Sequence, residues 1–252
     1  MAEAWVHDAL RRRGLRVPDV VAVAPAGEPL DRGVLVVTAM DGVPLAAARL
    51  GGAALAGVIQ EAGRELGVVG QIAVDGFGFV CRDRPPLAAP EPHARSFLLD
   101  GFEARLARAA PALGSELAAQ AAALVERHAG LLDGCPSRLA HGDFDGTHIY
   151  VEAGRYAGLI DFGEMRGAPP LYDAAHFALH EGRAPALPAL LAGMREAVSL
   201  PGDVDPRIAL IGLLLGVGRV DTFAARGRPG LVARFAAGAA RLADALASAR
   251  AG

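Results

Sequence analysis

The stretch Leu139–Ala–His141–Gly–Asp143–Phe–Asp–Gly–Thr–His148–Ile–Tyr–Val151, closely followed by Leu159–Ile–Asp161–Phe–Gly163–Glu164, decides how this chain is read. Each half is a polar cluster framed by apolar residues. The frames suit short strands, and the polar residues suit loops at their ends. Two such loops close in sequence present one carboxylate, Asp143, to a substrate and another, Asp161, to a metal. Standing alone, Asp143 reads as a capping or turn aspartate, because Asp favours such positions. The order and separation of the two clusters give it a chemical reading instead.

At 252 residues the chain has room for one large domain or two lobes around a substantial core. A net charge of −3, with 21% charged residues, offers no basic patch for nucleic acid. Lysine and asparagine are absent throughout, so arginine carries every cationic side chain other than histidine. Codons for both missing residues begin AA, and GC-rich coding explains the gap together with the abundance of Ala, Gly, Arg and Pro. The chemistry is constrained all the same, since arginine's planar fork does not simply replace a compact ammonium. Cys81 and Cys135 have no metal-ligand spacing and form no disulfide framework. The first residues lack the basic and apolar regions of a signal peptide. Ile208–Val217, the longest apolar run, is too short to span a bilayer and reads as a buried helix. These features lead us to expect a soluble cytoplasmic protein with neither a nucleic-acid nor a membrane partner.

Along the chain, residues 3–13 read as a helix stopped by Gly14, and Val20–Ala24 and Gly33–Thr38 as strands. Met40–Leu45 is a turn-rich connector. Residues 52–66 form a helix by pattern, Gly70–Arg84 is irregular, and Ser96–Ala109 and Ser115–Leu132 are each read as one helix. Short strands near 149–152 and 156–160 carry the decisive stretch. Helices follow at about 172–180, 186–198, 205–224 and 229–249. The expected fold class is α+β. Residues 1–40 would make a small lobe of one helix and two strands, and residues 41–252 a large, mostly helical lobe.

His141–Gly–Asp143, a ligand five residues on at His148, and Asp161–Phe–Gly163 together resemble the aminoglycoside phosphotransferase and choline kinase-like family. That family has a protein-kinase-like two-lobe fold and the pattern H-G-D-x-x-x-x-N followed by D-F-G or D-W-G. The resemblance implies transfer of the γ-phosphoryl of ATP or GTP to a hydroxyl of a small molecule, with Mg²⁺ or possibly Mn²⁺ as cofactor. Asp143 would be the catalytic base, and Asp161 with His148 the metal ligands. His148 stands where the family has asparagine, and an imidazole tilts preference towards Mn²⁺. His141 would fix the loop through backbone hydrogen bonds, and Asp173 would brace it from the next helix. Gly163 supports the metal turn. Val36–Gly42 resembles the hinge between lobes, where backbone groups of Thr38, Ala39 and Met40 would read the nucleotide base.

Glu3 falls where the family places a helix glutamate that pairs with a strand lysine. The glycine-rich strands and that lysine are therefore expected to be missing, leaving a truncated small lobe. Asp145 reads as solvated. Asp145, Glu164 and Glu181 could line an acidic entrance for a cationic acceptor. Two other readings stay open: a pseudokinase or truncated fragment acting as a binding protein, and a metal-dependent hydrolase built on His141, Asp143, His148 and Asp161.

Overall fold

A computed structural model describes residues 2–27, 31–81, 85–181 and 186–249. The end of the segment expected to be irregular, residues 82–84, lies outside these. The amino-terminal helix α1 (Ala2–Arg11) buries Ala2, Val6 and Leu10 on one face. The hairpin of β1 (Val20–Ala24) and β2 (Val34–Val37) follows as a two-stranded antiparallel sheet. Its outer face leaves Val21 63% exposed, so this sheet contributes little to the core.

The connector after the hairpin contributes β3 (Val43–Pro44) and leads into α2 (Gly52–Val69). Beyond it come β4 (Gly78–Phe79), α3 (Ala94–Leu99), α4 (Phe102–Leu113) and α5 (Ser115–His128). The helix expected over Ser96–Ala109 is two helices. Asp100 leaves helical geometry and Gly101 turns back at φ 71°, a left-handed conformation that glycine adopts freely.

The decisive stretch runs through β5 (Arg138–Ala140), β6 (Ile149–Glu152), β7 (Arg155–Leu159) and β8 (Arg166–Ala168). These belong to two small antiparallel sheets, ordered β3-β6-β7 and β4-β8-β5. Strands β3, β4, β5 and β8 were not legible in the sequence. Each is two or three residues long, and its partner comes from elsewhere in the chain, so no periodicity marks it.

Helices α6 (Tyr172–His180), α7 (Ala186–Ala197), α8 (Val204–Ala225) and α9 (Pro229–Ser248) complete the body. Pro229 opens α9 at its first turn, where a missing N–H costs nothing. By length and composition, α8 could cross a membrane, but 56% of its apolar window is buried in the protein. It packs on α4, α6 and α9. One continuous apolar core joins all these helices to the small sheets.

The amino-terminal piece is anchored to that core through Arg16. Its Nε donates to Glu65 Oε1 of α2 at 3.1 Å, and its guanidinium lies 4.3 Å from the centre of the Tyr156 ring. Tyr156 in turn donates its hydroxyl to Glu65 at 2.8 Å. Glu65 is 4% exposed, so its carboxylate is buried but fully engaged.

Candidate active site

His141, Gly142 and Asp143 leave the end of β5 in a tight turn. Gly142 has φ +90°, and a Cβ there would stand 1.9 Å from the Glu164 carbonyl oxygen. Any side chain would therefore push the two motifs apart. The buried Asp173, in the first turn of α6, accepts the amides of His141 at 2.8 Å and Gly142 at 2.9 Å. Those two bonds fix the turn from behind.

His141 is fully buried, and its Nε2 donates to the Ile160 carbonyl at 2.8 Å. Burial lowers its pKa, so the ring is neutral and serves as a strut between the motifs. Its ring also contacts Phe162, 4.8 Å away between centres, and His7 of α1 meets Phe162 edge-on. The second motif is thus held from both sides.

Asp161 ends the strand side of the hairpin at φ 63°, a conformation strained for a residue with a side chain. Its carboxylate accepts the Gly163 amide at 3.2 Å, and a Cβ at Gly163 would stand 2.9 Å from the same oxygen. The Asp161 side chain is 60% exposed, and Oδ2 lies 3.7 Å from His148 Nε2. His148 Nδ1 donates to the Asp143 carbonyl at 2.7 Å, so in the neutral ring Nε2 keeps its lone pair towards Asp161.

These donors fit a divalent cation that takes two protein ligands and completes its shell with phosphate and water oxygens, the usual manner of Mg²⁺. Among the described residues no group of three or more His, Cys, Asp or Glu side chains could hold a metal. With His141 occupied as a strut, the four-residue hydrolase centre does not assemble.

Asp143 is partly exposed, and its two oxygens differ. Oδ1 receives Arg219 Nη2 at 3.0 Å and lies 3.3 Å from His176 Nε2. Oδ2 has no hydrogen-bond partner among the described residues. The His176 ring seats Arg219, and that guanidinium holds the carboxyl at about 2 against the opposing effect of burial. Asp143 is therefore ionised throughout the neutral range.

Asp145 departs from its expected solvated place. It is 9% exposed, and it accepts the Thr147 amide at 2.7 Å and lies 3.0 Å from His180 Nδ1. Burial works against its charge, but the bonds from His180 and Thr147 outweigh it and lower the pKa. Glu164 is bound by Arg166 at 3.1 Å. Glu181 lies against Gly146 of the loop, with its Oε1 3.1 Å from where a Cβ there would stand.

The segment expected to be the hinge also runs close by. Met40 packs beside Gly158 of β7, where a Cβ would meet its Cε at 2.7 Å. The Thr38 amide donates to the Asp19 carbonyl at 2.9 Å, and its hydroxyl accepts the Asp19 amide at 2.9 Å. Among the described residues the Thr38 carbonyl and Met40 amide have no hydrogen-bond partner. Glu3 lies on α1.

Sequence reading missed Arg219, His176 and His180. The two histidines sit four apart on α6, one and two turns past the brace Asp173, and that spacing was a usable signal. His176 Nδ1 donates to the Phe144 carbonyl at 3.1 Å, and the two imidazoles stack 4.4 Å apart. Arg219 gave no signal, because it lies on α8 just past the apolar run Ile208–Val217 and belongs to no motif. A cavity of about 650 Å³ lies elsewhere, behind β5 between the ends of α2 and α7 and the start of α8. Asp143 does not line it.

Three small sheets, a large helical body and two knitted acidic turns define a kinase-like phosphotransferase. The chain belongs to the phosphotransferase enzyme family, whose model matches residues 1–210. No curated protein matches it. Among solved structures, one neighbour is a thermostable mutant of aminoglycoside phosphotransferase APH(4)-Ia in ternary complex with AMP-PNP and hygromycin B. It has TM-score 0.68 and 18% identity, over 98% of this chain and 84% of that one. Another is a putative fructosamine-3-kinase from Thermobifida fusca, with TM-score 0.62 and 22% identity over 95% of this chain and 79% of that one. A third, macrolide 2′-phosphotransferase MphH from Brachybacterium faecium, gives TM-score 0.53 and 17% identity, over 99% and 80%. At these identities the likeness carries the fold.

Proposed function

We propose that this protein transfers the γ-phosphoryl of ATP or GTP to a hydroxyl of a small molecule. The observation that carries this is the fixed pairing of an open carboxylate oxygen, Asp143 Oδ2, with the His148–Asp161 donor pair on the adjoining turn. Asp143 accepts the acceptor's proton as the new O–P bond forms. Phosphoryl transfer depends on positioning and charge compensation more than on a strong base, so a carboxylate of low pKa suffices. His148 and Asp161 would hold Mg²⁺ or Mn²⁺, which when bound supplies charge neutralisation across the nucleotide phosphates. The Thr38 carbonyl and the Met40 amide, with Ala39 between them, would receive the edge of the base. The neighbour bound to AMP-PNP supports a nucleotide co-substrate. We place the protein in the cytoplasm, where the nucleotide is abundant.

With Asp145 buried and bonded and Glu164 paired with Arg166, a cationic acceptor would be met mainly by Glu181. The acceptor is therefore an alcohol of open charge class, and neighbours named for hygromycin B, fructosamine and macrolides mark where to begin. Transfer of radiolabelled γ-phosphate to a panel of those alcohols tests the proposal. Wild-type protein should label at least one, and Asp143→Ala should lose about 10²-fold or more of turnover. Full transfer by Asp143→Ala would sink the mechanism. A second reading, a binding protein that no longer turns over, is favoured by the two-stranded β1–β2 sheet among the described residues and by the absence of lysine.

A further inference from the structure

We propose that Arg219 is a further catalytic residue, a cation supplied from α8 to the phosphoryl group in flight. The inference rests on the phosphotransferase reading above. Arg219 Nη2 is held by two partners, Asp143 Oδ1 at 3.0 Å and His176 Nε2 at 3.1 Å. His176 is 1% exposed and fixed through Nδ1 to the Phe144 carbonyl at 3.1 Å, so it is a rigid seat for the guanidinium.

Arginine carries five N–H donors. Among the described residues, Nη1 and Nε of Arg219 have no hydrogen-bond partner, and its side chain is 34% exposed. A guanidinium clamped at one end and open at the other, beside the base, can meet a new anion without moving far. The rest of the loop supplies no such charge. Asp145 follows two residues after Asp143, and no lysine exists in the chain.

In the transfer step the acceptor oxygen bonds to Pγ while the bond from Pγ to the β,γ-bridging oxygen breaks. The nucleoside diphosphate leaves with that electron pair, and the hydroxyl proton passes to Asp143 Oδ2. Protonation removes the charge that paired Arg219, just as the equatorial phosphoryl oxygens become its strongest anionic neighbour. The guanidinium is then shared between Asp143 and phosphoryl, an interaction stronger in the transition state than before it.

The test needs no acceptor. ADP with Mg²⁺ is titrated calorimetrically with and without aluminium fluoride, which mimics the phosphoryl in flight. Wild-type protein should gain about 10²-fold or more in ADP affinity, as transition-state mimics do. Arg219→Gln should lose most of that gain while plain ADP affinity stays as in wild type. Arg219→Lys should keep a fraction, because a compact ammonium lacks the planar fork that reaches Asp143 and the phosphoryl group from separate nitrogens. A full gain in either variant would overturn the proposal. A wild-type protein that binds ADP with no gain would overturn the role of Arg219 alone, whereas one that binds no nucleotide would overturn the phosphotransferase reading with it.

Discussion

At the scale of single residues, the site depends on side chains held in one protonation state. Burial keeps His141 neutral, and it lowers His180 against the pull of Asp145. A histidine whose folded pKa is depressed gives stability that is complete above the unfolded value of about 6.5 and is lost as pH falls through the folded value. Asp143 follows the same sign lower down. With a folded value of about 2 against an ordinary 3.8, its contribution is complete above 3.8 and fades towards 2. Urea unfolding should therefore show a first loss of stability below about pH 6.5, from the histidines, and a second below about pH 4. Asp143→Asn should remove its share of the second step and leave the first. Stability that stays constant from pH 7 to pH 5 would contradict this account. Asp145 marks where sequence reading failed at this scale. Its partner His180 lies 35 residues on, so nothing near Asp145 revealed that it is buried.

Among the elements, the long helices were legible and the short strands were not. Tyr172–His180 and Pro229–Ser248 follow their apolar spacing closely. Strands of two or three residues exist only through partners that folding brings from elsewhere, so β5 and β8 left no local trace. The contact between α2 and α7 was equally hidden. At Gly193 a Cβ would stand 1.8 Å from the Gln60 carbonyl oxygen, and at Gly63 it would stand 2.2 Å from that of Leu190. The two backbones touch, and glycine is what permits it. Gly193→Ala should cost about 1–3 kcal/mol by overpacking, a fall in melting temperature of about 2–4 °C for each kcal/mol. Gly218→Ala on α8 meets nothing within 4 Å, and it should leave stability equal or slightly raised. Equal melting temperatures for Gly193→Ala and wild type would refute the close contact.

At the scale of the whole molecule, the two motifs identified the class because chemistry forced their wording. A left-handed Asp161, a glycine at 142 and a brace at Asp173 leave few alternatives, so the turns can be read locally. The surroundings of the Asp143 carboxylate are built the other way. Residues such as His176 and Arg219 come from separate helices whose own spacing reports packing, and their meaning appears only when the fold places them over Asp143. The small β1–β2 sheet raises the remaining question of whether hinge and metal turn are enough to hold a nucleotide. Glu65, Arg16 and Tyr156 tie the piece that carries this sheet to the helical body, so Met40 has a fixed seat beside Gly158 of β7. The most direct test is calorimetric titration of ATP and GTP, with Mg²⁺ or Mn²⁺, into the 252-residue chain and its Asp161→Ala variant. Metal-dependent binding by the wild-type chain that the variant loses is the predicted result, and binding that survives in Asp161→Ala, or none in the wild-type chain, would contradict it.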